Sequence, residues 1–300
     1  MLGSNAYKER RDWYTFMLMS TSKLELAAKT SMTKYVGKPE ALTPLYVQPD
    51  RAIFLAASSR LILKVYTDKT ALQKEVEVAR EAQAAGVPTP EMIGLEIEEL
   101  AVLTMRQVIG TPLSARNKNA IQAAGKYLRK FHRIGARPPF SGGQTKWDEF
   151  ILWWSFKEID ALYDLSVCDE NERDELKDRF QKLKPILESR PVVLLHGDLQ
   201  ADHIIVDPKA DKVLAFIDFA DAQHGDPLLD IAVLTLRDPE LTPLLLKGYE
   251  SIEDNKQTQN MISHYRLLRH IAEIPWLYQR GYKELANKNM LRVRAALHRF

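Results

Sequence analysis

Cysteine is nearly absent from this sequence: Cys168 is the only one in 300 residues. A disulfide within the chain is excluded, and so is a zinc site built from clustered thiolates. The shortage also fits a reducing compartment. Long apolar runs are lacking as well; none approaches the roughly 18–20 residues that span a bilayer. The opening stretch, MLGSNAYKERRDWY, has no apolar segment of the signal-peptide kind and brings charged residues in early. Charge of one sign does not dominate either. The formal net charge is +2, which argues against a nucleic-acid grip or a membrane-surface role. Internal repeats and low-complexity tracts are not found. These absences predict an unprocessed, cytoplasmic protein with no nucleic-acid or membrane partner, and they leave its oligomeric state open.

What is present is a globular composition. Hydrophobic residues make up 45% and charged residues 27%, enough apolar material for one large core or two modest ones. Residues 1–40 are mixed and polar, with helical spacing around Trp13, Phe16 and Met17. From Pro44 to Tyr66 the short runs LYV, AIFLAA and LILKVY alternate with the turn-like QPD and SSR, the pattern of an antiparallel meander. Thr67 and Asp68 are suited to cap a helix in which Leu72, Val76 and Ala79 recur, and Gly86 sits where a glycine stop belongs. The prolines of GVPTP force an extended exit, and MIGLEI and LAVLTM read as two further strands. The first 105 residues thus read as a small sheet crossed by one helix.

After Gly110 the pattern turns helical, with Ile121, Ala124, Leu128 and Phe131 on one stripe that ends near His132. Residues 147–189 continue it and add an aromatic cluster, Trp147, Phe150, Trp153, Trp154 and Phe156. PVVLLHGD, HIIVD and VLAFIDF read as strands of a second small sheet, and the tail from Pro227 reads as helix. The expectation is an α+β chain: a β-rich lobe over residues 1–105 with an extension over 1–40, a connector near 105–110, and a helical lobe within 106–300.

The chemistry concentrates in HGDLQADHIIVDPKADKVLAFIDFADAQHGDPLLD, His196 to Asp230. Asp198 follows a strand and opens a short loop. His203 begins the next strand, and Asp218 ends the one after. Two adjacent strands joined by a turn bring His203 and Asp218 together, with Asp198 just before them. Phosphoryl transfer needs such a grouping. Magnesium takes one or two protein carboxylates plus phosphate oxygens, and a separate carboxylate must face the acceptor hydroxyl. Asp218 is the candidate main ligand of Mg2+, His203 the second metal-side group and Asp198 the catalytic base. Alone, each has a plainer reading, as turn former or satisfied histidine. An unpaired carboxylate at the end of the apolar run VLAFID, however, is costly to bury.

The same segment resembles the aminoglycoside phosphotransferase and choline kinase family, which has a bilobal protein-kinase-like fold. That pattern is H-[GN]-D, four residues and usually Asn, then I-D-[FW], then G-D-P-x-x-D. It is met here by His196, Gly197, Asp198, His203, Ile217, Asp218, Phe219, Gly225, Asp226, Pro227 and Asp230. The resemblance implies a small-molecule kinase that uses ATP or GTP as donor, Mg2+ as cofactor and a hydroxyl as acceptor. It further implies that Lys64 holds the α- and β-phosphates, fixed by Glu75 on the next helix, with Glu77 and Glu81 as rivals. The run Met105, Arg106, Gln107 and Val108 would meet the nucleotide base.

Two departures stand out. His203 replaces the usual Asn, as in some macrolide and aminoglycoside phosphotransferases, and this makes an antibiotic the first expected acceptor and a metabolite such as an amino alcohol or sugar the second. The hairpin stretch YVQPDRAIF contains no glycine, although glycine is what lets backbone N–H groups approach phosphate; Arg51 is a candidate substitute charge. A catalytically silent nucleotide-binding relative and a protein kinase are the alternatives, the second disfavoured by the short interval between Asp218 and Gly225. His196 and Asp230 read as structural, Asp226 as either, His132 as packing and the aromatic cluster as core. From His264 to Phe300 there are eight Lys or Arg against two Asp or Glu, a basic excess at odds with a polycationic acceptor unless it forms a solvated face.

Overall fold

A computed structural model describes residues 22–135 and 146–297. The helical spacing noted at Trp13, Phe16 and Met17 lies outside the described residues. The first element is a helix, α1, over residues 22–36, with Leu24, Ala28 and Met32 at four-residue intervals on its buried side. Five strands follow around one helix: β1 (Leu42–Val47), β2 (Arg51–Ala56), β3 (Leu61–Tyr66), α2 (Lys69–Ala84), β4 (Met92–Ile97) and β5 (Ala101–Arg106). They form one antiparallel sheet in the order β1-β2-β3-β5-β4.

Strand alternation sorts the side chains of this sheet. Leu61, Leu63 and Val65 join Phe54 and Val102 in a core with α1, while Tyr66, Leu103 and Met105 join Leu72 and Val76 of α2 on the opposite face. The sheet is therefore covered by two helices rather than the one expected. Lys64, out of phase with Leu63 and Val65, falls on the α2 face. Asp68 starts α2 by accepting from the N–H groups of Thr70 and Ala71 at 2.9 and 3.1 Å.

The second half comprises β6 (Thr111–Pro112), α3 (Lys118–His132), α4 (Trp147–Asp164), α5 (Glu170–Gln181), α6 (Lys184–Leu187), β7 (Val193–Leu195), β8 (Ile204–Asp207), β9 (Lys212–Phe216), β10 (Gln223–Gly225), α7 (Leu228–Leu234), α8 (Thr242–Tyr249), α9 (Lys256–Gln279) and α10 (Lys283–Leu297). Its core is continuous and gathers Leu128, Phe131, Trp147, Phe150, Leu195, Phe216, Ile231, Tyr265 and Leu268 among others. The expected small sheet is two ladders, β7 with β10 and β6-β8-β9. The N–H of Phe216, at the end of β9, donates to the carbonyl of Pro88 at 2.8 Å and joins the two halves beside Asp218. Only a single 3-10 turn and β10 separate Asp218 from Asp226. Among the described residues, no helix is long and apolar enough to cross a membrane.

Candidate active site

The two halves meet at Lys64. Its Nζ lies 2.5 Å from Glu75 Oε1 and 2.7 Å from Asp218 Oδ1. The ammonium is buried between two carboxylates, one from α2 and one from the end of β9. Burial disfavours its charge, but Glu75 and Asp218 outweigh that cost and hold Lys64 above the usual lysine value. Glu75 falls on the same buried stripe as Leu72 and Ala79, and Tyr66 Oη donates to its Oε2 at 3.3 Å. Glu77, one of its rivals, is exposed. Helix rotation thus brings Glu75, not Glu77 or Glu81, to Lys64.

The loop after β7 is anchored from below. Asp230, fully buried on α7, accepts from the backbone N–H groups of His196 at 2.7 Å and Gly197 at 3.0 Å. It also meets His132 Nε2 at 3.0 Å, and His132 Nδ1 reaches Tyr249 Oη at 2.9 Å. Burial pushes the Asp230 carboxyl upward, yet His132, His196 and the backbone N–H hold it below the usual carboxylate range. Gly197 has φ +84, and a Cβ there would stand 2.0 Å from the Asp221 carbonyl oxygen, so both conformation and space demand glycine. His196 Nε2 donates to the Ile217 carbonyl at 3.0 Å, tying the loop to the residue before Asp218. Asp218 itself is left-handed, φ 68 and ψ 66, a costly conformation for a residue other than glycine. Asp226 is enclosed by Arg190, Tyr265 and the N–H of Leu228. It therefore props β10 rather than facing a ligand.

Asp198, His203 and Asp218 converge. His203 Nδ1 lies 2.6 Å from the Asp198 main-chain oxygen, and because a carbonyl only accepts, Nδ1 carries the proton. Nε2 then points at Asp218 Oδ2, 3.7 Å away, while Nδ1 is 3.9 Å from Asp198 Oδ2. In a neutral imidazole this sets two acceptors facing each other, an arrangement satisfied by a cation between them or a second ring proton. No group of three His, Cys, Asp or Glu side chains among the described residues forms a self-contained metal cage. The Asp218 carboxylate suits an ion whose remaining ligands arrive as phosphate oxygens and waters, as those of magnesium do, while the His203 nitrogen is a softer donor than magnesium favours. Lys64 and its neighbours His203 and His196 hold the Asp218 carboxyl low against the effect of burial, so it stays charged.

Two contacts to Asp198 escaped the motif. Gln200 Nε2 lies 3.2 Å from each carboxylate oxygen. Arg269, from the middle of α9, places Nη2 2.7 Å from Oδ1. The pointer available in the sequence was the basic excess after His264, which is not simply a solvated face: the Arg269 side chain is only 25% exposed, and Arg266 bonds Thr235 and Thr242 through Nη2 at 2.5 Å each. The aromatic cluster divides, with Trp147 and Phe150 buried and Trp153 exposed.

At the connector, Arg106 N–H donates to the Glu91 carbonyl and Gln107 N–H to the Arg60 carbonyl, each at 2.9 Å, and Met105 lies in the ladder between β3 and β4. Val108 N–H has no backbone partner among the described residues. Of the four candidates for base contact, it is the donor still to be used. A surface hollow of about 500 Å³ at the junction of α4 and α5, lined by Tyr163, Cys168, Glu172 and Arg294 among others, involves none of the residues gathered at Asp198.

Residues 49–258 match the model of a family described as the phosphotransferase enzyme family. No curated protein matches. Several solved structures share the fold. A choline/ethanolamine kinase family protein from Mesorhizobium loti superposes with a TM-score of 0.69 at 20% identity over 93% of this chain and 95% of that one. A thermostable mutant of aminoglycoside phosphotransferase APH(4)-Ia, in ternary complex with AMP-PNP and hygromycin B, gives 0.67 at 18% over 91% and 98%. The streptomycin–ATP complex of APH(2")-IIa gives 0.65 at 17% over 90% and 97%.

Proposed function

The chain belongs to the phosphotransferase enzyme family and is a small-molecule phosphotransferase with a hydroxyl acceptor, and we propose that it takes the γ-phosphoryl group from ATP or GTP with Asp198 as catalytic base. The observation that carries this is the convergence of Asp198, His203 and Asp218, with Lys64 ion-paired to Asp218 at 2.7 Å. Lys64 neutralises the α- and β-phosphates, and Glu75 fixes its direction. The backbone of Met105 to Val108 receives the base, with Val108 N–H as donor. Asp198, steadied by Gln200 and Arg269, orients the acceptor hydroxyl and takes its proton as the oxygen attacks phosphorus. Asp218 and His203 would hold Mg2+, which when bound neutralises charge on the β- and γ-phosphoryl oxygens. A nucleotide donor also agrees with the cytoplasmic setting expected above.

The antibiotic acceptor implied by His203 has support from relatives crystallised with hygromycin B and streptomycin. A metabolite acceptor has support of its own in Arg269, because a guanidinium beside the reacting hydroxyl repels a polycation. The test is incubation of the purified chain with Mg2+, ATP or GTP and a panel of hydroxyl compounds, followed by mass spectrometry. A product heavier by one phosphoryl unit is expected. Nucleotide binding in a thermal-shift assay with no transfer to any acceptor would identify a silent nucleotide-binding protein instead.

A further inference from the structure

We propose that Arg269 selects the acceptor, and that the acceptor is a hydroxyl compound bearing an acidic group, carboxylate or phosphate, within reach of the hydroxyl that reacts. This rests on Asp198 being the group that faces the acceptor. The two oxygens of Asp198 look different ways. Oδ2 is the one near His203, at 3.9 Å, and so belongs to the side of Asp218 and Lys64 where phosphate and metal are handled. Oδ1 meets Arg269 Nη2 at 2.7 Å. The guanidinium arrives from α9, a helix of the C-terminal half, while Lys64 comes from β3. A hydroxyl that approaches Asp198 at Oδ1 therefore meets Arg269.

Arg269 has donors to spare. Of the five N–H groups of a guanidinium, one is spent on a hydrogen bond among the described residues. The planar fork of the others matches the spacing of carboxylate or phosphate oxygens. Its surroundings reinforce the charge. Arg266 lies one turn earlier on α9 and Arg292 projects from α10. After burial, these two and Arg269 are what push the neighbouring His270 imidazole down to about 4. The nearby acid on α9, Glu273, is engaged by Asn289 Nδ2 at 2.6 Å. Three guanidinium groups, Arg266, Arg269 and Arg292, thus stand against two carboxylates, Glu273 and the Glu240 that acts on Arg266, and the excess beside Asp198 is positive, which attracts an anion and disfavours a compound with several ammonium groups.

The geometry also gives the acceptor a way to activate its own reaction. Without it, Arg269 occupies Oδ1. An incoming anion takes over the guanidinium and releases that oxygen for the hydroxyl proton. The hydroxyl oxygen then bonds to the γ-phosphorus, the bond from phosphorus to the β–γ bridging oxygen breaks, and the nucleoside diphosphate leaves.

The test uses the full chain with Mg2+ and γ-labelled ATP. It is supplied with a metabolite extract separated by charge into anionic, neutral and cationic fractions, and separately with glycerate, glycerol 3-phosphate, glycerol, ethanolamine and streptomycin. Labelled product from the anionic fraction is expected, and the glycerate and glycerol 3-phosphate arms distinguish a carboxylate from a phosphate. Product from the neutral or cationic samples alone overturns the inference while leaving phosphotransfer intact. No product from any sample, with nucleotide bound, counts against the phosphotransferase reading itself, and the inference falls with it. With the anionic acceptor in hand, Arg269→Gln should raise its KM about tenfold or more, leave the nucleotide KM unchanged, and be partly rescued by Arg269→Lys. An acceptor KM unaltered in Arg269→Gln would equally overturn it.

Discussion

The loop after β7 and the turn between β1 and β2 occupy the two places where a kinase-like fold handles phosphate, and here they are built on opposite terms. The loop is fastened from beneath by Asp230 through two backbone N–H groups, braced sideways by His196 on the Ile217 carbonyl, and closed around a glycine that tolerates no Cβ. The turn has little of this. Gln48 N–H is spent on the Arg51 carbonyl at 2.8 Å, Pro49 has no N–H, and the Asp50 carbonyl is held by Thr67 N–H at 2.8 Å. Arg51 stacks on the Tyr46 ring at 5.6 Å. A cradle of backbone N–H groups cannot form there. In the proposed mechanism the triphosphate then depends on the buried Lys64 ammonium and on an ion at the half-buried Asp218 and His203. The loop is held by buried anchors, and the turn by few contacts of its own.

Substitutions test this contrast most sharply where the chemistry sits. Asp198→Asn removes the proposed base but retains a shape that Gln200 and Arg269 can hold. Transfer should fall by about 10³-fold, roughly 4 kcal/mol of transition-state stabilisation, with nucleotide affinity within about twofold. Steady-state rates and a nucleotide titration check it; an Asn variant that retains full activity would remove Asp198 from the mechanism. Next comes the anchor. Asp230→Asn leaves His132 and two backbone N–H groups without their buried anion and should cost about 3 kcal/mol of stability, read as a lower urea midpoint. Because the folded-state value of Asp230 is depressed, its contribution is complete above the ordinary carboxylate pKa of about 3.9 and is lost as pH falls through the folded value. The Asn variant should lack that acid limb.

A smaller effect lies behind Arg269. His270 is held down to about 4 by burial and by Arg292, Arg266 and Arg269, whereas an unfolded histidine titrates near 6.5. Between those values the unfolded chain binds the extra proton, so stability is complete above about pH 6.5 and declines as pH falls toward 4. His270→Gln should flatten that decline by on the order of 1–2 kcal/mol, seen in thermal midpoints at pH 7 and pH 5. Equal pH dependence in both proteins would place His270 outside the positive field.

How much was legible depended on whether a residue's role is local. The β3 strand, the Asp68 cap and the Gly86 stop are spelled by near neighbours, and the order of Asp198, His203 and Asp218 by short loops between short strands. Asp230 was readable because the two backbone N–H groups it holds lie 34 and 33 residues away in one dense motif, although its partner His132 is 98 residues away. Arg269 was not, because its distance of 71 residues from Asp198 is bridged by the packing of α9 against α7, α4 and α10. The choice of Glu75 over Glu77 and Glu81 needed the rotation of α2, which is set by which stripe meets the sheet. The helix over residues 22–36 is not legible in the same way, because its buried stripe is only Leu24, Ala28 and Met32 and its partner, the outer face of the sheet, has first to exist.

The smallest expected effect decides whether the turn is merely passive. Asp50 puts a carboxylate at the tip of the β1–β2 hairpin, where relatives of this fold bring N–H groups to phosphate; its charge is felt by Arg51, but it makes no side-chain hydrogen bond or ion pair among the described residues. If the turn lies over the triphosphate, that charge opposes binding, and screening at physiological salt limits the penalty to a fraction of a kcal/mol. Asp50→Asn should then lower the nucleotide KM by about twofold with kcat unchanged, and the difference should shrink in 0.5 M salt. Replacing Pro49 and Asp50 together by glycine would add the one N–H that proline lacks and enlarge the gain. No change in KM at low salt for either variant would mean that the turn stands clear of the nucleotide.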